Sequence, residues 1–198
     1  NIYLLYDSLY NLKKGGWQTP SAVTFYESDV DIEHCIFAEN SNCDDALNIV
    51  RSDFAVNFCI FKNTFADAFD SDFCTGKVQH CTFKNIGNDA IDFSGSIVKI
   101  TDCKMFDISD KAISGGEDSQ LEVSNCSILG ANIGVASKDL SVLNLNKITI
   151  EKTVYGLVAF VKKPEYGPAK ITIDNLKIKN YVIFHQIETG SVLKLNGK

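Results

Sequence analysis

Apolar and polar residues alternate along this chain in short runs, and the runs recur. One series is Val98 and Ile100, Leu121 and Val123, Leu143 and Leu145, Ile171 and Ile173, Leu193 and Leu195. A second is Cys35 and Phe37, Cys59 and Phe61, Cys81 and Phe83, Cys103 and Met105, Cys126 and Ile128, Ile148 and Ile150, Leu176 and Ile178. A third opens after an alanine: Val23 and Phe25, Leu47 and Ile49, Ile91 and Phe93. Alternation with period two predicts half-buried strands, and no segment sustains the 3.6-residue period of a helix.

The spacing of the runs predicts the architecture. Asp45-Ala46-Leu47-Asn48, Asp67-Ala68-Phe69-Asp70 and Asp89-Ala90-Ile91-Asp92 stand 22 residues apart. Lys111-Ala112-Ile113-Ser114, Ile133-Gly134-Val135-Ala136 and Tyr155-Gly156-Leu157-Val158 keep the same step. Ser21-Ala22-Val23-Thr24 begins a 24-residue coil upstream, and Ile183-Phe184-His185-Gln186 follows a 28-residue coil downstream. The extra residues fall in Lys162–Lys170, which reads as a loop inserted at one corner. Three short strands per repeat, with equivalent residues recurring at every turn, predict a right-handed parallel β-helix solenoid of about seven coils. At about 4.8 Å per coil the rod is about 34 Å long. A leucine-rich horseshoe would need a different consensus and helices on one side. Residues 1–20 lack the repeat and are expected to cap the N-terminal end, with Trp17 packed over it; residues 21–198 form the helix.

Composition narrows the classes. The chain has 198 residues, is 45% hydrophobic and carries a net charge of −6. That balance argues against a nucleic-acid binder, which needs a basic face. No apolar run approaches the roughly 18 residues of a membrane-spanning helix, so no membrane insertion is expected. The first residue is Asn1 rather than Met, which reads as a mature or excised piece of a larger protein whose other domains are its partners.

Cys35, Cys59, Cys81, Cys103 and Cys126 occupy one position of the coil, so they read as a ladder of reduced, buried thiols. His34-Cys35 and His80-Cys81 do not read as metal ligands, because adjacent strand residues face opposite ways. Cys43 and Cys74 lie off the ladder and are expected to be partly exposed.

Chemistry is expected on the outward side of the Asp-Ala strands, where Thr24, Asn48, Asp70, Asp92 and Ser114 stack. Asp72 projects beside Asp70, while Asp45, Asp67 and Asp89 stand where the chain enters the strand. Carboxylates this close repel unless compensated, by Ca²⁺ held on Asp70 and Asp92 or by protonation, which is the basis of acid–base chemistry. The plainer alternative is solvated aspartates capping turns through local Asx hydrogen bonds. Arg51, Lys138, Lys162 and Lys163 add positive charge to the same side, and Tyr155, Phe160 and Tyr166 add aromatic surface. Carboxylates, lysines and rings along one groove suit a polysaccharide. The candidate ligand-binding set is Asn48, Asp67, Asp70, Asp72, Asp89, Asp92, Lys138 and Lys162. No phosphate loop, dinucleotide fingerprint, zinc-protease motif or Cys-x-x-Cys is present. The sequon Asn125-Cys126-Ser127 is discounted, because Cys126 belongs to a core strand.

The coils from Ser21 onward resemble the pectate-lyase-like superfamily of parallel β-helices, and most of all its exported or surface-attached bacterial repeat proteins. The resemblance runs through DALNIVRS, NDAIDFSGS, GVASKDLS and KKPEYGPAKI and covers about nine tenths of the chain. Asn88-Asp89-Ala90-Ile91-Asp92 is similar to the Asn-Thr-Asp motif of polygalacturonases, with Asp89 at the place of the catalytic acid. The catalytic-side His and Arg-x-Lys of that family have no match from Gly134 to Ser137 or beyond. The Asp-rich strand also looks like that of Ca²⁺-using lyases. The resemblance implies an extracellular or cell-surface location. It leaves two function classes: a non-catalytic polysaccharide-binding module, favoured by the short bare coils, or a lyase, epimerase or glycoside hydrolase working in the same groove.

Overall fold

A computed structural model describes residues 3–5, 12–14, 17–19 and 21–196. The chain is a parallel β-helix of about eight turns, all-β, with no helix among the described residues. Each turn contributes to three strand stacks. The first contains Val23–Tyr26, Asp45–Val50, Asp67–Asp72 and Ile91–Ser94. The second contains Val30–Glu33, Asp53–Asn57, Thr75–Gln79, Ile97–Thr101 and Gln120–Ser124. The third contains Ile36–Ala38, Ile60–Thr64 and Thr82–Ile86. From Lys104 onward the third and first stacks join into long bent strands, Lys104–Gly116 and Ser127–Lys138, and Val142–Phe160 takes in the second stack as well. Pairing is parallel and in register, with Leu47 beside Phe69 and Phe69 beside Ile91.

Left-handed residues punctuate the repeat and turn the chain. His34, Phe58, His80, Asp102 and Asn125, all with φ near +55°, recur at one corner. Arg51 and Phe73 recur at a second, and Asn63, Asn85 and Asp107 at a third. A residue with a Cβ is disfavoured there by roughly 1–2 kcal/mol, so the corners need compensation from stacking. Phe58 receives it from His34 and His80, whose rings lie parallel to its own at 5.1 and 4.7 Å.

The interior holds one continuous apolar column. Phe37, Phe61 and Phe83 stack face to face at 4.7 and 4.8 Å, and Phe69 and Phe93 meet edge to face at 5.1 Å. The expected cysteine ladder is present and its thiols are free, with Cys35 on the first rung only half-buried. Cys59, Cys81, Cys103 and Cys126 are buried, and each thiol donates to the carbonyl two residues earlier at 3.3 Å. Cys43 and Cys74, expected to be partly exposed, are buried too. Cys74 takes the place of a serine in an inward ladder at another corner, where the hydroxyls of Ser96, Ser119 and Ser141 each accept an N–H from the preceding coil. Its Sγ contacts the Ile49 carbonyl at 3.2 Å instead.

At the N-terminal end, Tyr3–Leu5 pairs in parallel with Ile36–Ala38, so the third stack extends one rung below the first repeat. Leu12–Lys14 and Trp17–Thr19 form an antiparallel pair. The expected packing of the Trp17 side chain lies outside the described residues. No helix among the described residues is long and apolar enough to cross a membrane.

Candidate functional site

The first stack opens on buried alanines, Ala46, Ala68, Ala90 and Ala112, which pack into the apolar core. On its outward side Thr24, Asn48, Asp70, Asp92 and Ser114 are successive register partners, so the column expected from the repeat is formed. Farther along, the same face becomes apolar at Ala136 and Val158. An open cleft of about 470 Å³ lies there, lined by Tyr155, Val158, Phe160 and Gln186. A separate cleft of about 400 Å³, lined by Asp29, Asp53, Phe54 and Lys77, belongs to the second stack.

The carboxyls divide into two groups by their partners. Asp67 accepts the Asp89 N–H at 2.7 Å, and Asp89 accepts the Lys111 N–H at 2.9 Å. These bonds run from one coil to the next, whereas a local Asx turn would keep them within one corner; stacked corners bring the next N–H within one rung. Asp89 also holds the Lys111 ammonium at 3.1 Å, which bonds Asp110 at 2.5 Å as well. Lys111 stands where three preceding coils carry Asp45, Asp67 and Asp89, and that change of sign in the repeat was the readable signal for the pair. Asp92 is bound through both oxygens to the Lys138 ammonium, at 3.0 and 3.2 Å. Lys138 reaches it across Gly116, where a Cβ would approach the Lys138 stem to 3.2 Å.

Asp70, Asp72 and Asn48 form the other group. Asp70 has no hydrogen bond or ion pair among the described residues, and burial followed by the Asp72 charge hold its carboxyl well above the usual range. Asn48 makes a long 3.5 Å contact from Nδ2 to Asp72. Asp72 is likewise raised, first by burial. Among the described residues, three of the four buried side-chain polar atoms that lack a partner lie in the column: Thr24 Oγ1, Asn48 Oδ1 and Ser114 Oγ.

The expected basic residue of the inserted loop is replaced by its neighbour. Lys162 is exposed, and only its backbone N–H is engaged, with Asp139 at 2.6 Å. The Lys163 ammonium pairs with Glu117. Arg51 pairs with Glu27 at 3.7 Å on the surface.

The expected Ca²⁺ pair, Asp70 and Asp92, has a different geometry around it. The acids that come within 4.8 Å of one another are Asp67, Asp89 and Asp92. Two of these already neutralise an ammonium, and Ca²⁺ requires six to eight oxygen donors free to coordinate. The donor set does not fit Ca²⁺ without displacing Lys111 and Lys138.

A pH dependence follows from the burial of these acids. Burial raises Asp45 and Asp67 to about 6 each. Burial, then the Asp92 charge, raises Asp89 to about 7 against the pull of Lys111. The folded state therefore holds these protons more tightly than the unfolded chain, whose acids titrate near 4. Their stabilising contribution is complete below about pH 4 and is lost as pH rises through 6 to 7. Melting temperature measured from pH 8 down to pH 5 should rise. A rise of similar size in the Asp45→Asn, Asp67→Asn, Asp89→Asn triple variant would assign the effect to other groups.

No family model matches the chain, and no curated protein matches it in sequence. Among solved structures it is similar to the catalytic domain of a GH87 alpha-1,3-glucanase in complex with nigerose. That similarity has a TM-score of 0.44 at 12% identity, covering 85% of this chain and 49% of the other. The chain spans about half the length of that protein.

Proposed function

We propose that the outward face of the first strand stack binds a polysaccharide, and that the chain is a saccharide-binding β-helix module of the pectate-lyase-like type from an exported or surface-attached bacterial protein. One observation carries this reading. Asp70 is part-exposed at the middle of the outward column and carries no hydrogen bond or ion pair among the described residues, so its carboxyl is open to the hydroxyls of a saccharide. Tyr155 and Phe160, farther along the same face, supply rings on which a sugar can stack.

Binding is favoured over bond cleavage because Asp89 and Asp92 are held by lysines. Glycosidic hydrolysis uses two carboxyls about 5–10 Å apart, one on each side of the bond, both able to exchange protons or attack. The trio of Asp67, Asp89 and Asp92 is closer than that. A polysaccharide-modifying enzyme remains the second reading, favoured by Asp70, whose raised, unpaired carboxyl is suited to donating a proton.

Calorimetric titration with a panel of neutral, acidic and amino oligosaccharides tests the proposal, with and without Ca²⁺. The expected result is binding of at least one class, unchanged by Ca²⁺, with no new reducing ends released. Release of reducing ends or unsaturated products, abolished by Asp70→Asn, would establish the enzyme reading. Silence across the panel would overturn both.

A further inference from the structure

A cleft larger than the two described above lies on the outward side of the second strand stack, away from Asp70. Its volume is about 760 Å³. One outward column crosses it through Lys99, Glu122, Asn144 and Thr172, each the register partner of the one before. A second column beside it runs through Ser124, Asn146 and Asp174. All of these side chains are exposed or half-buried, so a ligand can reach them. Toward the N-terminal end the first column carries Asp31, Ala55 and Lys77; within the cleft it turns to amide and hydroxyl at Asn144 and Thr172.

Hydrogen bonds between rungs hold the amides in fixed orientations. Asn144 Nδ2 donates to Glu122 at 2.8 Å, which leaves the Asn144 Oδ1 as an acceptor. Asn175 Nδ2 donates to Asn146 Oδ1 at 2.9 Å, which leaves the Asn146 Nδ2 as a donor. Asn175 itself sits in a left-handed corner, where its backbone N–H donates to Asn196 Oδ1 at 3.3 Å and ties the wall across rungs. Ser124, Thr172 and Asp174 have no side-chain hydrogen bond or ion pair among the described residues. The free groups thus include donors and acceptors side by side, which is what sugar hydroxyls match, since each both donates and accepts.

Charge and shape narrow the ligand. Two carboxylates, Glu122 and Asp174, stand against one ammonium, Lys99, so a polyanion is repelled. No aromatic ring lines the cleft, so a ligand that depends on stacking gains nothing there. Rungs repeat at about 4.8 Å, close to the length of one residue in an extended β-1,4-linked glycan. Such a chain laid along the rod meets polar groups at every step.

We infer that this cleft binds a neutral, extended β-1,4-linked polysaccharide lying along the solenoid axis, its successive residues meeting Ser124, Asn144 and Asp174. The site is on a different stack from the one proposed above and stands without it.

The test titrates cellohexaose, maltohexaose and hexagalacturonate into the isotope-labelled, unaltered protein, read by calorimetry and by amide chemical shifts. Cellohexaose should bind and shift the amides of Ser124, Asn146 and Asp174. It should bind at least about tenfold more tightly than hexagalacturonate, the scale of one or two hydrogen bonds. The Asn144→Ala, Asp174→Ala double variant should weaken cellohexaose by about tenfold. Shifts confined to Asp70, Asp92 and their neighbours would place the sugar on the first stack, overturning this inference and leaving the earlier reading intact. Shifts confined to the cleft would do the reverse. Preference for hexagalacturonate would overturn the neutral ligand, and equal or tighter binding of maltohexaose the extended one. Silence of all three sugars would overturn the site. The shift map uses the unaltered protein, so its result holds even if the double variant misfolds.

Discussion

Replacing Phe61 by alanine should destabilise the solenoid by about 3–5 kcal/mol, the usual cost of deleting a fully buried aromatic ring. Phe61 is enclosed on all sides. It stacks on Phe37 at 4.7 Å and Phe83 at 4.8 Å, and lies 5.9 Å from Phe69. Its neighbours are pinned by the parallel register of Phe61 with Phe37 and Phe83, so they cannot collapse into the space left behind. Phe58→Ala on the same coil is the control. Phe58 is 48% exposed and sits in a left-handed corner, where its ring gains only from stacking between His34 and His80. That variant should lose no more than about 1 kcal/mol, the size of an aromatic pair. Urea unfolding of both variants checks the contrast. Comparable losses would mean that the interior stack does not carry the weight assigned to it. Because a solenoid joins each coil only to its neighbours, Phe61→Ala should also broaden the transition if the coils around it unfold separately.

Removing the ammonium from Asp92 should be nearly as damaging. Lys138→Met leaves a carboxylate facing Asp67 and Asp89 within 4.8 Å, with no cation in reach of both its oxygens. Breaking a buried pair from one side costs about 3–5 kcal/mol, and the partial exposure of Asp92 places this one near the lower end. Asp92→Asn should cost less, because the Lys138 ammonium keeps Asp110 as a neighbouring charge. Combining the two substitutions should recover most of the loss. The double-mutant cycle reads the coupling directly, and a coupling energy near zero would show that Lys138 and Asp92 do not act as a pair. The experiment also separates structure from binding, since the proposed saccharide face centres on Asp70 rather than on this ion pair.

Much of the molecule was legible from residue order. The 22-residue step and period-two runs determined the coil and the inward residues. Cys59, Cys81, Cys103 and Cys126 fall in one interior file, and Thr24, Asn48, Asp70, Asp92 and Ser114 in one outward file, because a constant repeat places equivalent residues one above another. What the repeat cannot specify is where a long side chain ends. Lys138 reaches Asp92, 46 residues away, only because Gly116 leaves the path open and the rungs between them are narrow enough to cross. Lys163 rather than Lys162 meets Glu117, because the inserted loop folds back so that both backbone N–H groups bind Asp139. Cys74 is buried because its corner turns its side chain inward beside Ser96, a direction that linear spacing off the ladder did not reveal. Sequence therefore determined which residues share a face. Tertiary structure decided which charges on that face are already answered and which, at Asp70, are not, because compensation depends on the few ångströms between side-chain ends rather than on the register of the backbone.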